Sequence, residues 1–421
     1  MPCQACKRCA SGLKRARTAR QLAMLPLARR DVRKLVRKLG ANAPPSQQRA
    51  ALQDIAQLCC NGGDVSLVAI AAAGAVPPLV QLLGPASTAD VQRLAGAALG
   101  ILAMIDDIAA SITAAGAIPP LVQLLGPAST SLVQMTAVTT LMNLALVAEI
   151  ATTIAAAGAI PPLVQLLRSE CDDHLQAVTT HNAATTLGLF AWSTDTKAAI
   201  AAAGAIPPLV QLLGPGSTSD TQSTAAEVLM RLAEVSATAS DIVAAGAGPA
   251  LVQLLGPGST AVMQAKAAGA LAILAKNHAN MATIAAAGAI PPLVQLLGPA
   301  STDEVHHKAA GALLILASSK ANAVTIAAAG AIPPLVHLMG PGSHGNLQGT
   351  AAGALGILAY NADNAVAIAA AGAIPRLVQL LGPGFSAYVQ GVAGAALGAL
   401  SENAEIRATI AAARGLGVAP C

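Results

Sequence analysis

A block close to IAAAGAIPPLVQLLGP returns along the chain at a nearly constant interval, and this repeat limits the possible folds more than any other feature. Successive copies are 42 residues apart, except for one interval of 46, when measured at the glycines Gly74, Gly116, Gly158, Gly204, Gly246, Gly288, Gly330 and Gly372. A ninth copy begins at Ile410, where Arg414 takes the place of the glycine. A fixed period of this length indicates a solenoid of stacked units rather than several independent globular domains.

Each unit carries the start and stop signals of three helices. The first helix is predicted to end at the glycine of GAIPP, a favoured C-terminal residue, and the proline pair then opens the second. The second helix is predicted to stop at a Gly-Pro pair such as Gly126-Pro127, and a following Ser or Thr caps the third. Ser301 to Glu304 also fits a capping box. Val262–Asn277 is an example of the third and longest helix.

The composition excludes several classes of protein. Hydrophobic residues make up 54% of the chain and charged residues 10%, which is unlike a disordered segment. The longest apolar run, Leu67–Val80, has 14 residues and contains a Gly and a Pro pair, so it is too short for a membrane span. Aromatic residues are about 1% of the chain, too few for a surface that stacks nucleic-acid bases. We therefore expect no nucleic acid as partner.

Charge divides the chain into a basic start and a mildly acidic remainder. Residues 1–40 hold twelve Lys or Arg against the single acid Asp31. The segment Leu35–Gly40 aligns with LVQLLG, and Gln48 follows Gly40 by eight residues as Gln134 follows Gly126. The predicted organisation is a basic tail at 1–30, a degenerate unit at 31–62 that acts as a cap, the array at 63–415, and a C-terminal tail at 416–421.

The unit resembles the armadillo repeat. The residues that carry the resemblance are GAIPPLVQLL at 116–125 and AAGALAILAKN at 267–277, and it extends over roughly residues 31–415. It implies an all-α, right-handed superhelical solenoid of about nine three-helix repeats, whose third helices line a concave groove that binds peptides or proteins. The glycine in AAGAL is similar in style to plant and algal members. In import receptors of this family Trp and Asn ladders clamp the ligand, but here only Asn143 matches an Asn ladder position.

Helical periodicity selects the residues that would face such a groove. With about 100° per residue, the ladder position shares a face with residues four, seven and eight earlier, and the position three later lies at the rim. Trp, Tyr and Arg are the commonest anchors of interfaces. The candidate partner-binding residues on the face are Arg93, Asn143, Glu227, Arg231, Lys266, His307 and Lys308, with Trp192, Lys276 and Tyr360 at the rim. Two simpler alternatives are an ion pair between Glu227 and Arg231, and a core position for Trp192.

No catalytic arrangement and no phosphate-binding loop is recognisable, so we predict neither an enzyme nor a cofactor nor a small-molecule substrate. Cys171, Asp172, His174 and His181 raise the question of a metal site. The same region contains four extra residues, and we favour a longer third helix with an acidic start. Cys3, Cys6 and Cys9 lack a nearby fourth zinc ligand. Acylation of these cysteines beside the basic tail would anchor the chain to a membrane.

The functional prediction is a non-catalytic protein–protein interaction scaffold or adaptor that binds a peptide, helix or protein partner along the concave face. One alternative is an acylated, membrane-tethered adaptor similar to a fungal vacuolar armadillo protein, although Pro2 excludes N-myristoylation. Another is the substrate-recognition part of a ubiquitin ligase system. We expect a cytoplasmic location, with a peripheral endomembrane location or organelle import through the basic segment as alternatives.

Overall fold

The computed structural model describes residues 26–40, 43–61, 63–168 and 174–415, and all regular elements in these ranges are α-helices. The chain forms two compact parts, the first unit, residues 1–162, and the second unit, residues 163–421, and each contains several of the three-helix repeats. The first contains α1 Pro26–Arg37, α2 Pro45–Asn61, α3 Gly63–Ala72, α4 Val76–Gln81, α5 Ala89–Leu102, α6 Asp106–Ala114, α7 Ile118–Leu124, α8 Ser131–Leu144 and α9 Ala148–Ala156, and α10 is Ile160–Leu167.

The second unit continues the same three-helix order. Its helices are α11 His174–Phe190, α12 Thr194–Ala202, α13 Ile206–Gln211, α14 Ser219–Leu232, α15 Ser236–Ala244, α16 Ala247–Gln253, α17 Ala261–Ala275, α18 His278–Ala286, α19 Ile290–Gln295, α20 Asp303–Leu316, α21 Lys320–Ala328, α22 Ile332–Leu338, α23 Gly345–Leu358, α24 Ala362–Ala370, α25 Ala373–Leu380, α26 Ala387–Leu400 and α27 Ala404–Gly415. The third helix α11 has 17 residues whereas α14 has 14, which confirms the predicted lengthening.

The turn between the first and second helices forms as the GAIPP motif predicts. Gly116 has a φ of 79°, and the amide of Ala117 donates to the carbonyl of Ile112, which is the hydrogen bond of a Schellman motif. The two prolines then occupy the first turn of α7, where amide hydrogens have no partner inside the helix. The repeat thus begins each second helix with a fixed change of direction.

The N-terminus of the third helix is capped by a side chain in most described units. The hydroxyls of Thr88, Thr130 and Thr218 each accept a hydrogen bond from the amide three residues later. Thr302 does the same for Val305, so Thr302 is the cap and the capping box predicted with Ser301 at that place was wrong. Threonine hydroxyls reach this amide from an extended backbone, which Thr302 adopts.

A glutamine on the third helix holds the end of the second helix. Gln92 Nε2 donates over 2.9 Å to the carbonyl of Gly84, which lies eight residues earlier in the sequence. The equivalent bond, with the same separation, is made by Gln48, Gln134, Gln222, Gln264, Gln348 and Gln390. In one unit His306 Nε2 makes the equivalent bond to Gly298 over 2.9 Å. We call this bond the glutamine latch. It adds a second donor to a carbonyl that already accepts from the backbone of the following turn, as the carbonyl of Gly84 accepts from the amide of Ser87.

Small residues bring successive third helices close together within each unit. A Cβ added to Gly100 of α5 would lie 2.9 Å from Thr140 Oγ1 of α8, and one added to Gly356 of α23 would lie 3.1 Å from the Cα of Ala396 in α26. Leucines such as Leu99 and Leu355 fill the core beneath these contacts. Within the described ranges no single helix is both long and apolar enough to cross a membrane. Three consecutive pairs bent by more than 40°, α6 with α7, α9 with α10 and α21 with α22, reach that length and composition together.

Candidate functional site

The second unit brings three of the sequence-selected residues into one charged network. Glu227 lies at the centre, on α14. Its carboxylate accepts one hydrogen bond from Arg231 on the same helix, over 2.8 Å, and another from Lys266 on α17, over 2.7 Å. The predicted pair between Glu227 and Arg231 is therefore present, and Lys266 extends it to the next repeat.

The electrostatic environment of Glu227 favours its charged form. Partial burial alone would raise the pKa of this carboxyl, but the hydrogen bonds and positive charges of Lys266 and Arg231 outweigh it. The net result is a pKa below the usual value for glutamate. Glu227 therefore stays ionised at neutral pH and fixes the positions of both cationic side chains.

Trp192 lies at the surface, not in the core. The residue is 68% exposed, and the Cζ atom of Arg231 lies 4.2 Å from the centre of its ring. A guanidinium at this distance from an indole forms a cation–π contact. The turn that carries Trp192 is closed by Ser193, whose hydroxyl caps α12 by accepting from the amide of Thr196. The core alternative for Trp192 was therefore wrong.

The turns that follow the third helices of the second unit carry a row of exposed side chains. We call the first five of these side chains, Trp192, Glu234, Lys276, Ser318 and Tyr360, the rim row, and the turn after α26 carries the exposed Glu402. Tyr360 is 67% exposed. Lys197 of α12 is buried and forms an ion pair with Glu234. Lys276 and Glu234 line one shallow groove. The row thus has an aromatic residue at each end and opposite charges between them.

His307 and Lys308 lie in the second turn of α20, outside the hydrogen-bonded network around Glu227. The Nδ1 atom of His307 lies 3.4 Å from the hydroxyl of Thr350, and its ring centre is 6.0 Å from that of His344. Burial, with smaller contributions from the charges of Lys308 and His344, lowers the pKa of His307 below the ordinary value for imidazole. The aliphatic part of Lys308 passes close to Gly269 on the preceding third helix. Both residues therefore have defined neighbours in the stack.

In the first unit, the two selected residues already have partners within the array. Arg93 and Arg49 both pair with Asp90, each over 2.8 Å. Asn143 Nδ2 donates to the carbonyl of Gly100 on the preceding third helix, over 2.8 Å. That amide already links two helices, so Asn143 serves the packing of the array.

Several sequence predictions fall where the structure gives no description. Cys3, Cys6, Cys9, Cys171 and Asp172 all lie outside the described residues, as do the tails at 1–25 and 416–421. His174 is exposed, whereas burial lowers the pKa of His181, whose ring lies beside Thr221. Among the described residues, no group of three or more His, Cys, Asp or Glu is placed to hold a metal ion.

Comparisons with known proteins agree with this architecture. A family model described as Armadillo/beta-catenin-like repeat matches residues 319–360. The crystal structure of an engineered protein is 32% identical, with a TM-score of 0.82 and coverage of 92% of both chains. A designed armadillo repeat protein, YIII(Dq)4CqI, is 29% identical with a TM-score of 0.52, over 57% of this chain and 99% of its own. A second engineered protein is 31% identical with a TM-score of 0.53, over 58% and 99%. No curated protein sequence matches the chain.

The fold defines an all-α solenoid protein built from three-helix repeats, a class that generally serves as a scaffold for protein interactions without catalysis. The chain belongs to the armadillo repeat family. The resemblance that the GAIPPLVQLL motif suggested is thereby confirmed. The likeness to plant and algal members stays a prediction.

Proposed function

We propose that this protein is a non-catalytic scaffold or adaptor that binds an extended peptide segment of a protein partner along the rim row and the adjoining faces of the third helices. The observation that carries the proposal is the linked set Trp192, Arg231, Glu227 and Lys266, which extends across three consecutive repeats. An exposed indole held in place by a guanidinium, which is itself held by a carboxylate, is a preorganised anchor. Preorganisation lowers the cost of ordering side chains when a partner binds.

The chemistry of the rim row suggests the character of the peptide. Trp192 and Tyr360 offer apolar ring surface at the two ends, because both are about two-thirds exposed. Between them lie an acid, Glu234, and a base, Lys276. We infer that the ligand carries apolar side chains near its ends and an acidic residue opposite Lys276, whereas Lys197 already compensates the charge of Glu234.

Peptide selection on the intact chain tests this proposal. Peptides selected from a random display library against the wild-type protein should lose affinity by about tenfold or more for each of Trp192→Ala and Tyr360→Ala, since aromatic anchors dominate interface energy. Val324→Ala and Val366→Ala are matched controls, because these valines are also exposed, at 51% and 53%, but lie on the first helices α21 and α24. Selected peptides that bind all four variants equally would refute the proposed site.

A tethered form of the same scaffold is the second candidate, and the sequence favours it through Cys3, Cys6 and Cys9 beside a basic segment. We propose a cytoplasmic location with reversible attachment to an endomembrane. The full chain should incorporate a palmitate analogue in cells and enter the membrane fraction, and a variant with all three cysteines changed to Ser should do neither. Equal fractionation of the two proteins would remove this candidate and leave the peptide-binding proposal intact.

A further inference from the structure

Three positions at which the repeat departs from its own pattern line a single cleft. The helix-3 latch position is Gln in seven of the eight array units and His306 in the other. The helix-2 position in LVQLL is Gln in seven units and His337 in the eighth. The position after the first proline of the second helix is Pro in six units, Ala250 in one and Arg376 in another. Their residues lie in three consecutive units and all line the same cleft in the structure.

The cleft lies at the ends of the second helices and in the turns that follow them, away from the rim row. Its walls are largely apolar and include Pro299, Pro333 and Pro341. The hydroxyls of Ser301 and Ser343 also line it.

The N–H donors among the lining side chains favour an anion. Arg376 and His337 are both exposed in the cleft and present such donors. Asp303 is the one acidic residue that lines the cleft, and it balances the fixed charge of Arg376. Arginine with neighbouring N–H donors is a common arrangement for binding carboxylate and phosphate groups.

The buried imidazole of His306 is an independent indication of a ligand. His306 is 8% exposed, and its Nε2 atom donates to the carbonyl of Gly298, because a carbonyl oxygen can only accept. Its Nδ1 atom is buried and has no hydrogen-bond partner, since Asp303 Oδ1 lies 3.9 Å away. Buried polar atoms in native proteins normally have a partner. His306, with this unpaired nitrogen, lines the same cleft as Arg376 and His337.

We propose that this cleft is a binding site for an oxyanion, either a carboxylate or a phosphate group of a ligand. Arg376 supplies the permanent positive charge, His337 supplies an N–H donor, the two serines complete the lining, and His306 lines the same cleft with its Nδ1 atom unpaired. The site is separate from the rim row, so the oxyanion site and the proposed peptide groove can be tested independently.

The experiment uses the full chain labelled with ¹⁵N in its histidines, at a mildly acidic pH at which free imidazole carries a proton. Inorganic phosphate and acetate are added separately at constant ionic strength, with chloride as the reference anion. We expect saturable changes in the imidazole signals of His306 and His337. The other five histidines of the chain should not respond with the same saturation curve.

Variants that take their residues from neighbouring repeats test the assignment without loss of fold. His306→Gln and His337→Gln restore the residue of the other units, and Arg376→Ala copies Ala250. We expect Arg376→Ala to weaken binding by about tenfold or more, and the triple variant to abolish saturation. His344→Thr is the matched control, because it removes an imidazole that caps α23 outside the cleft lining and restores the usual cap.

Saturation with phosphate alone would indicate a ligand that carries a phosphate group, and saturation with acetate alone would indicate a carboxylate. Saturation with both would show that the site binds oxyanions in general. An effect equal to that of chloride would overturn the site. Full binding by a correctly folded triple variant, as judged by circular dichroism, would also overturn it.

Discussion

At the scale of single residues, Glu227 couples the charged network to pH. Its pKa is lowered in the folded protein, because the hydrogen bonds and charges of Lys266 and Arg231 outweigh the effect of burial. The folded state then binds fewer protons than the unfolded state near the folded pKa, so stability rises with pH through this range. We expect the network to stabilise the fold fully above the ordinary glutamate pKa of about 4.5 and to lose that contribution as the pH falls through the lower folded value.

The substitution Glu227→Gln should remove this part of the pH dependence. The urea midpoint of the variant should lie below that of the wild type at pH 7 and approach it as the pH falls through the lowered pKa of Glu227, where the wild-type carboxyl becomes uncharged like the amide. Glu149→Gln, on the exposed face of α9, is the control and should follow the wild-type curve. A constant difference between wild type and Glu227→Gln at all pH values would contradict the role of ionisation.

The sequence predicted the positions of some site residues but not of others. Periodicity placed Glu227, Arg231 and Lys266 on one face, and the structure joins them in one network. It could not decide whether Trp192 was buried, because the four extra residues in that unit disturb the register. The sequence did not predict that His306, His337 and Arg376 lie together. They are separated by 31 and 39 residues, and only the stacking of consecutive repeats brings them to one cleft.

At the scale of helices, the glutamine latch should contribute measurably to stability. Gln348 is 5% exposed, and its Nε2 atom donates to the carbonyl of Gly340 over 2.7 Å. Gln348→Ala leaves that carbonyl without this donor, and we expect it to cost about 1–2 kcal/mol. Gln348→His should retain most of the stability, because His306 makes the same bond in another unit. Urea denaturation distinguishes the two, and equal losses would show that shape rather than the hydrogen bond matters.

Glycines of the third helices should respond in opposite ways to alanine. A Cβ at Gly356 would lie 3.1 Å from backbone and side-chain atoms of Ala396, whereas a Cβ at Gly311 would meet nothing within 4 Å. We expect Gly356→Ala to destabilise by about 1–3 kcal/mol through overpacking. Gly311→Ala should stabilise by about 0.5–1 kcal/mol, because alanine loses less backbone entropy in a helix. Denaturant midpoints that move in the same direction for both would contradict this packing.

The helices themselves were predictable because each boundary has a local cause. Gly116 and the prolines after it fix the first turn, and a threonine such as Thr130 fixes the cap of the third helix. The error at Ser301 arose because two adjacent hydroxyls can both cap, and only the backbone conformation decides between them. The latch had a visible signal, a Gln eight residues after a Gly, but its role required the distance between two helices.

At the scale of the whole molecule, the rim row sets a length for the ligand. Trp192 and Tyr360 are four repeats apart in the second unit. Neighbouring helices in a stack are about 8–10 Å apart, so the row extends over roughly 40 Å. An extended peptide advances about 3.3 Å per residue, and therefore about 12 residues are needed to reach both aromatic residues.

The dependence of affinity on peptide length should therefore have a step. A selected peptide of about 12 residues should be sensitive to both Trp192→Ala and Tyr360→Ala, whereas each half of that peptide should respond to only one of them. The two substitutions should also add in free energy for the long peptide, since residues this far apart do not couple directly. Fluorescence anisotropy with the full chain measures all of these affinities. A six-residue peptide that loses affinity in both variants would show that the row does not act as a linear, repeat-by-repeat surface.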